Sequence, residues 1–270
     1  MNGLWLAPVA LTAGVASFLA VATGCGQGGS AYATLGIMMT QASAYAEAVN
    51  LHEGDIKGYK VELASGGNIQ SKDTALGSCG TENSKQNEVA KFDSPTLTST
   101  RHKKSATAFN STFEQVNSSV HVMKDSVVAL RDYKLFATMV RRRKTTECLA
   151  RSLEKLRLEV IEEGKLAGKE FGQPLFSHVR VSALFFPQKS ALGGIVGLRI
   201  IAYSWLLRHN SGKGPNYFVE DFTFSTGPAT VMISYVGSPR PVPVAVQRKS
   251  LLLVYRRARA NSVGLAASFN

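Results

Sequence analysis

The chain has 270 residues, 44% of them hydrophobic and 19% charged, which excludes a low-complexity or disordered polypeptide and leaves ample material for a buried core. Lysine and arginine outnumber aspartate and glutamate 31 to 19, giving a net charge of +12. That excess suits nucleic acid, anionic lipid or an acidic envelope polymer, and charge alone chooses none of them.

In chain order, the first feature is an uncharged apolar run from Gly3 to Ala22, interrupted at Pro8 and Gly14 and long enough to enter a membrane. It ends on Ala22, Thr23 and Gly24, small residues of the kind a signal peptidase cleft accepts, directly before Cys25. Small residues immediately before a cysteine resemble a bacterial lipobox. The resemblance implies a signal peptide over 1–24, acylation of Cys25 and a lipid anchor on the extracytoplasmic face of the cell membrane. Ordinary secretion and an uncleaved span remain as alternatives. Residues 25–41, in which GQGGSAYATLG follows Cys25, read as a flexible tether.

With Cys25 assigned in this way, Cys79 and Cys148 are left, and an even remainder in an exported chain predicts a disulfide. A zinc site or a Cys/His nucleophile is the weaker alternative, because there is no CxxC and the histidines are scattered.

Further along, Met39 to Leu51 reads as a short helix, Asp55 and Gly58 as a turn, and Tyr59 to Leu63 as the start of an extended run. A Gly-, Ser-, Asn- and Lys-rich loop over 66–90 has Cys79 as its fixed point. Pro95 to Thr100 and Phe109 to Val122 predict strands, the second with Phe113, Val116, Val120 and Val122 inward. From Ser126 to Glu163 the period is helical, with Val127, Leu130, Lys134, Leu135, Val140 and Leu149 among the residues at three- and four-residue steps. A break near Thr145 and Thr146 would leave Cys148 at the start of a second helix.

The last hundred residues predict sheet: Phe176 to Phe186, Gly197 to Leu207, Tyr217 to Ser225, a turn at Thr226, Gly227 and Pro228, and a return over Thr230 to Val236. Phe218, Phe222 and Phe224 share one face, with Glu220 on the same side. Pro243 suits the first turn of a helix over Val244 to Ala260, whose cationic end at Arg256 to Arg259 would complement the helix dipole. The reading is an α+β fold: one antiparallel sheet packed with helices, a single domain over 42–260, and a tail over 261–270.

The runs LHEGDIKGYKV, FEQVNSSVHVMKDSVVALRDYKLF, ECLARSL and YVGSPRPVPVAVQRKSLLLVYRRARA, in that order around a cysteine loop, resemble exported lipoproteins of actinobacterial type. Their fold is similar to the Mog1/PsbP group, which includes LpqN-like lipoproteins and PknH-like sensor domains. The resemblance implies a non-enzymatic binding or accessory domain at the cell envelope.

The residues themselves carry no catalytic signature. GxSxG is absent, Gly212-Lys213 lacks the rest of a phosphate loop, and Glu220 and Asp221 are adjacent, so on a strand they point to opposite faces and cannot act as a pair. No enzyme activity, cofactor or metal is expected, although a site assembled from distant residues would leave no such motif. The expected role is binding of a lipid or small apolar ligand against Tyr203, Trp205, Phe218, Phe222 and Phe224, aromatics that serve equally well as core. The second reading gives the Arg141, Arg142, Arg143 and Lys144 face to anionic lipid or polymer. Nucleic acid is not expected, since the basic clusters have almost no interleaved aromatics.

Overall fold

The computed structural model describes residues 29–61, 79, 87–101, 113–152, 175–186, 191–205 and 213–268. Cys25, the expected lipidation site, lies outside them, as do the apolar opening and residues 206–207 of the expected 197–207 strand.

Helix α1 (Gly29–Val49) buries Ala42, Tyr45, Ala46 and Val49, a stripe at helical spacing. It begins well before Met39, so the stretch expected as tether is helical from Gly29 onward. After the turn that holds Gly54 and Gly58 at positive φ come β1 (Tyr59–Val61), β2 (Glu88–Asp93), β3 (Leu97–Ser99) and β4 (Phe113–Met123). β2 takes up the end of the expected loop. It and β3 run antiparallel along one edge of β4 and are parted at Ser94-Pro95, where proline has no N–H for the ladder. There the Ser118 N–H donates to Ser94 Oγ at 2.8 Å, a hydroxyl standing where a ladder carbonyl would be.

Two helices follow, α2 (Ser126–Arg141) and α3 (143–152). They part at Arg142, which is extended, a few residues before the expected break at Thr145. Strands β5 (Leu175–Phe185), β6 (Val196–Trp205), β7 (Lys213–Thr226) and β8 (Ala229–Ser238) form an antiparallel meander, and the turn between the last two holds Gly227 at φ +54°. Helix α4 (Val244–Ser268) runs past Ala260 through most of the expected tail, so Arg256 to Arg259 lie inside the helix and its last turn has no basic residue. The dipole complement expected there is absent.

All eight strands join one antiparallel sheet in the order β1-β3-β4-β8-β7-β6-β5, with β2 beside β4. The α+β fold with a single antiparallel sheet is therefore as the sequence predicts. One sheet face packs on α1 and α4 through Val116, Val120, Val122, Phe222, Phe224, Val231, Ile233 and Tyr235. The other packs on α2 and α3 through Val196, Leu198 and Ile200 against Ala137, Val140 and Leu149.

Two contacts fix this arrangement locally. Gly197 lies against its cross-strand partner Phe222, and a Cβ there would sit 2.6 Å from the ring. Arg257 of α4 forks onto Asp55, with Nη1 to Oδ2 and Nη2 to Oδ1 both at 2.7 Å, and Nη1 also donates to the Asn50 carbonyl at 3.1 Å. Burial pushes the Asp55 pKa up, but the bonds from Arg257 and from the His52 N–H outweigh it and hold the carboxyl below its ordinary value.

Gly197→Ala is expected to cost about 1–3 kcal/mol by overpacking, read as a lower urea midpoint. Because the folded-state pKa of Asp55 is depressed, its contribution is complete above the unfolded value of about 3.9 and is lost as pH falls through the folded value. Asp55→Asn should therefore unfold at lower urea than the parent chain at pH 7, with the difference shrinking as both are titrated below about pH 4.

Candidate functional site

Helix α2 is built to show two different faces. Asp125 caps it, accepting the Val128 N–H on Oδ1 at 2.7 Å. Val128, Ala129, Ala137 and Val140 are buried, with Tyr133 and Phe136 packed beside Ala137 and Val140. The Tyr133 hydroxyl donates to the Gly194 carbonyl, and burial pushes its phenol pKa up.

The opposite face carries Val127, Leu130, Arg131, Lys134, Leu135 and Thr138, which line a shallow hollow of about 340 Å³. Val127 is 77% exposed, Leu135 56% and Leu130 45%. The apolar steps that suggested an inward stripe thus contain outward residues: Val127, Leu130 and Leu135 face away from the sheet while the helix packs through alanines, valines and two aromatics. The signal available in the sequence was the second apolar series, Val128, Ala129, Tyr133, Phe136, Ala137 and Val140, displaced around the helix from the first.

The expected basic residues continue this surface. Arg141 stacks its guanidinium 5.0 Å from the ring centre of the exposed Phe185 on β5. Arg142 is the extended residue between the helices, its N–H donating to the Met139 carbonyl at 2.9 Å. Arg143 pairs with Glu147 at 2.6 Å, which raises its pKa, and Lys144 is exposed. Lys134, Arg142 and Lys144 have no ion-pair partner among the described residues. The surface therefore combines large apolar side chains with uncompensated cations, the pairing by which amphipathic helices lie in a charged lipid interface.

Cys148 lies in α3 and is bonded to Cys79, with Cα atoms 5.8 Å apart. The expected pair is thus joined, and it fixes the helix that begins with Arg143 and Lys144.

The aromatic set divides differently. Phe222 and Phe224 are core: Phe222 meets Tyr235 edge-on at 5.8 Å and Phe224 meets Tyr255 at 5.1 Å. Phe218 is half-buried, and the side chains of Tyr203 and Trp205 lie outside the described set. Glu220 and Asp221 do point to opposite faces, Glu220 bonding Arg199 and Gln247, Asp221 accepting from Ser234. Among the described residues there is no group of three His, Cys, Asp or Glu able to hold a metal ion, and no helix long and apolar enough to cross a membrane.

No protein-family model matches the chain, and no curated protein sequence matches it. Among solved structures, the extracellular domain of PknH from Mycobacterium tuberculosis is similar at 8% identity and a TM-score of 0.28, covering 77% of this chain and 97% of that one. A similarity of that size carries no inference about what this chain does.

The disulfide closes a separation of 69 residues, for which loop entropy alone gives about 4 kcal/mol. The Cys79→Ser, Cys148→Ser double variant should show a loss of that order in urea unfolding, with no further loss on adding reductant.

Proposed function

We propose that this chain is an extracytoplasmic domain of the cell envelope that contacts an anionic lipid surface through the outer face of α2 and the basic residues at its end. The observation carrying this reading is the exposure of Val127, Leu130 and Leu135 beside Arg131 and Lys134 on one helix. Apolar area of this kind is stabilised only where something apolar covers it. Each Lys or Arg close to an anionic leaflet adds about 1 kcal/mol of attraction, and the leucines supply the depth that charge alone does not.

A polymer would use the cations and leave the leucines in water, so lipid is the partner favoured here. The Cys79–Cys148 bond supports an oxidising compartment. The apolar run ending at Cys25 supports attachment to the same membrane, which would keep the α2 face close to the lipid surface. Ligand binding against the aromatic face has less support, since Phe222 and Phe224 fill the core instead of lining a cleft.

The test is co-sedimentation of residues 25–270 with phosphatidylglycerol or phosphatidylcholine vesicles. Binding should require the anionic lipid and weaken with salt. Leu130→Ser with Leu135→Ser should weaken it about 100-fold, taking about 1.5 kcal/mol for each buried leucine. Binding unchanged by the leucine variants but lost with Lys134→Gln and Arg142→Gln would assign the face to a charged polymer; no binding to either vesicle would overturn the reading.

A further inference from the structure

The sheet face under the first turns of α2 holds residues that surface contact does not use. Ser119 and His121 are two apart on β4, so their side chains share a face, the one opposite Val120 and Val122. Ser119 Oγ lies 3.3 Å from His121 Nε2, and Glu88 Oε2, on β2, lies 2.7 Å from His121 Nδ1. A carboxylate at Nδ1 places the ring proton there and leaves the Nε2 lone pair to accept the serine O–H, the connectivity that prepares a serine for attack on a carbonyl.

The strand next to β4 on its other side is β8, and Thr230 pairs in register with His121. The Thr230 Oγ1 atom is buried and has no hydrogen-bond partner among the described residues, and the register places its hydroxyl on the strand position beside His121. Lys91 also pairs in register with His121, and its ammonium is held by Asp93 at 3.5 Å, leaving Glu88 as the acid bonded to the imidazole. Ser119 is 4% exposed, whereas the His121 and Glu88 side chains are 23% and 22% exposed, so solvent reaches the imidazole and the carboxylate more than the hydroxyl.

We propose that Ser119 is an acyl-transfer nucleophile for small carboxylic esters, with His121 as its general base, Glu88 as the positioning residue and the Thr230 hydroxyl as a donor to the carbonyl oxygen. This goes beyond surface contact and uses no residue of the α2 outer face. Ser119 Oγ bonds to the ester carbon as its proton passes to His121 Nε2. The C–O bond to the leaving alcohol then breaks, and the alcohol leaves with that proton. Water attacks the acyl-serine, giving its proton to His121, and the serine oxygen departs as Ser119 recovers it, releasing the carboxylic acid. No oxidant, reductant or metal enters the balance. The arrangement lacks GxSxG because the serine sits inside a strand, not on a strand-to-helix elbow.

The experiment is exposure of residues 25–270 to a small alkyl fluorophosphonate, with intact mass, peptide mapping and 4-nitrophenyl acetate hydrolysis as readouts. The expected result is one adduct on Ser119, absent in Ser119→Ala and slowed about 100-fold or more in His121→Gln. Thr230→Val should slow ester hydrolysis, and Glu88→Gln should slow labelling while shifting the His121 imidazole nitrogen resonances toward the other tautomer. The parent chain decides the matter even where a variant fails to fold. No adduct, an adduct on another residue, or labelling at the parent rate in a His121→Gln chain with the parent urea midpoint would each overturn the assignment.

Discussion

The fold turns on a buried carboxylate. Glu220 stands in the middle of β7, 1% exposed, on the face that meets α4. A charge in that position is tolerable only if its partners are fixed in place, because an unpaired ion in the interior costs several kcal/mol, more than any single side-chain contact returns. Arg199 reaches it from the neighbouring strand, and Gln247 from the first turns of α4, the same amide that donates to the Val242 carbonyl at 2.7 Å. The Tyr235 hydroxyl extends the network to the Gln247 carbonyl at 3.0 Å and to Ser250, and burial pushes its phenol pKa up. Hydrophobic packing would allow α4 to slide or turn on the sheet; these bonds have one register in which all are made. Once α4 is set, Arg257 falls beside Asp55 and α1 has a surface to lie on.

The two sides of the sheet consequently have different characters. Under α1 and α4 the strands offer valine, isoleucine, phenylalanine and tyrosine in a closed layer. Under α2 they offer Ser119, His121, Thr223, Thr230, Ser234 and Asp221 around a smaller apolar centre at Leu198 and Ile200. A polar face of this kind adds little to burial, and α2 does not need to lock down on it, since its own stability comes from the Asp125 cap, Tyr133 at Gly194 and the cross-linked α3 that follows. A helix held in this way, and packed through alanines, valines and two aromatics, can keep leucines on its far side.

Much of the sheet was legible. Period-two alternation in β7, with Phe218, Phe222 and Phe224 on one face, and the Thr226-Gly227-Pro228 turn specify the β7–β8 hairpin without tertiary information, and the cysteine pair follows from counting. What misled were places where tertiary contacts decide. The helix α1 begins in small residues that read equally as tether, and docking of its C-terminal half on α4 is what the sequence does not announce. β2 is six residues long, with Val89, Ala90 and Phe92 set among charged side chains, and pairs as a strand along β4. In α2 two apolar series overlap, and the one carrying the leucines drew the reading although the series of Val128, Ala129, Tyr133, Phe136, Ala137 and Val140 is the one turned inward. The Ser119, His121 and Glu88 set was invisible for a different reason: two residues on one strand join a third on another, and only the pairing of β2 with β4 brings the carboxylate to the ring.

The docking of α1 on α4 also governs the order in which the chain can be completed. The Tyr45 hydroxyl meets the Ala258 carbonyl across 213 residues, and Asp55 meets Arg257 across 202. A polypeptide threaded out N-terminus first would expose Ala42, Tyr45, Ala46 and Val49 throughout its passage, with their cover arriving among the last segments made. In chain order, then, the apolar stripe of α1 is made well before the helix that covers it, and this layer of the core can close only once both are present.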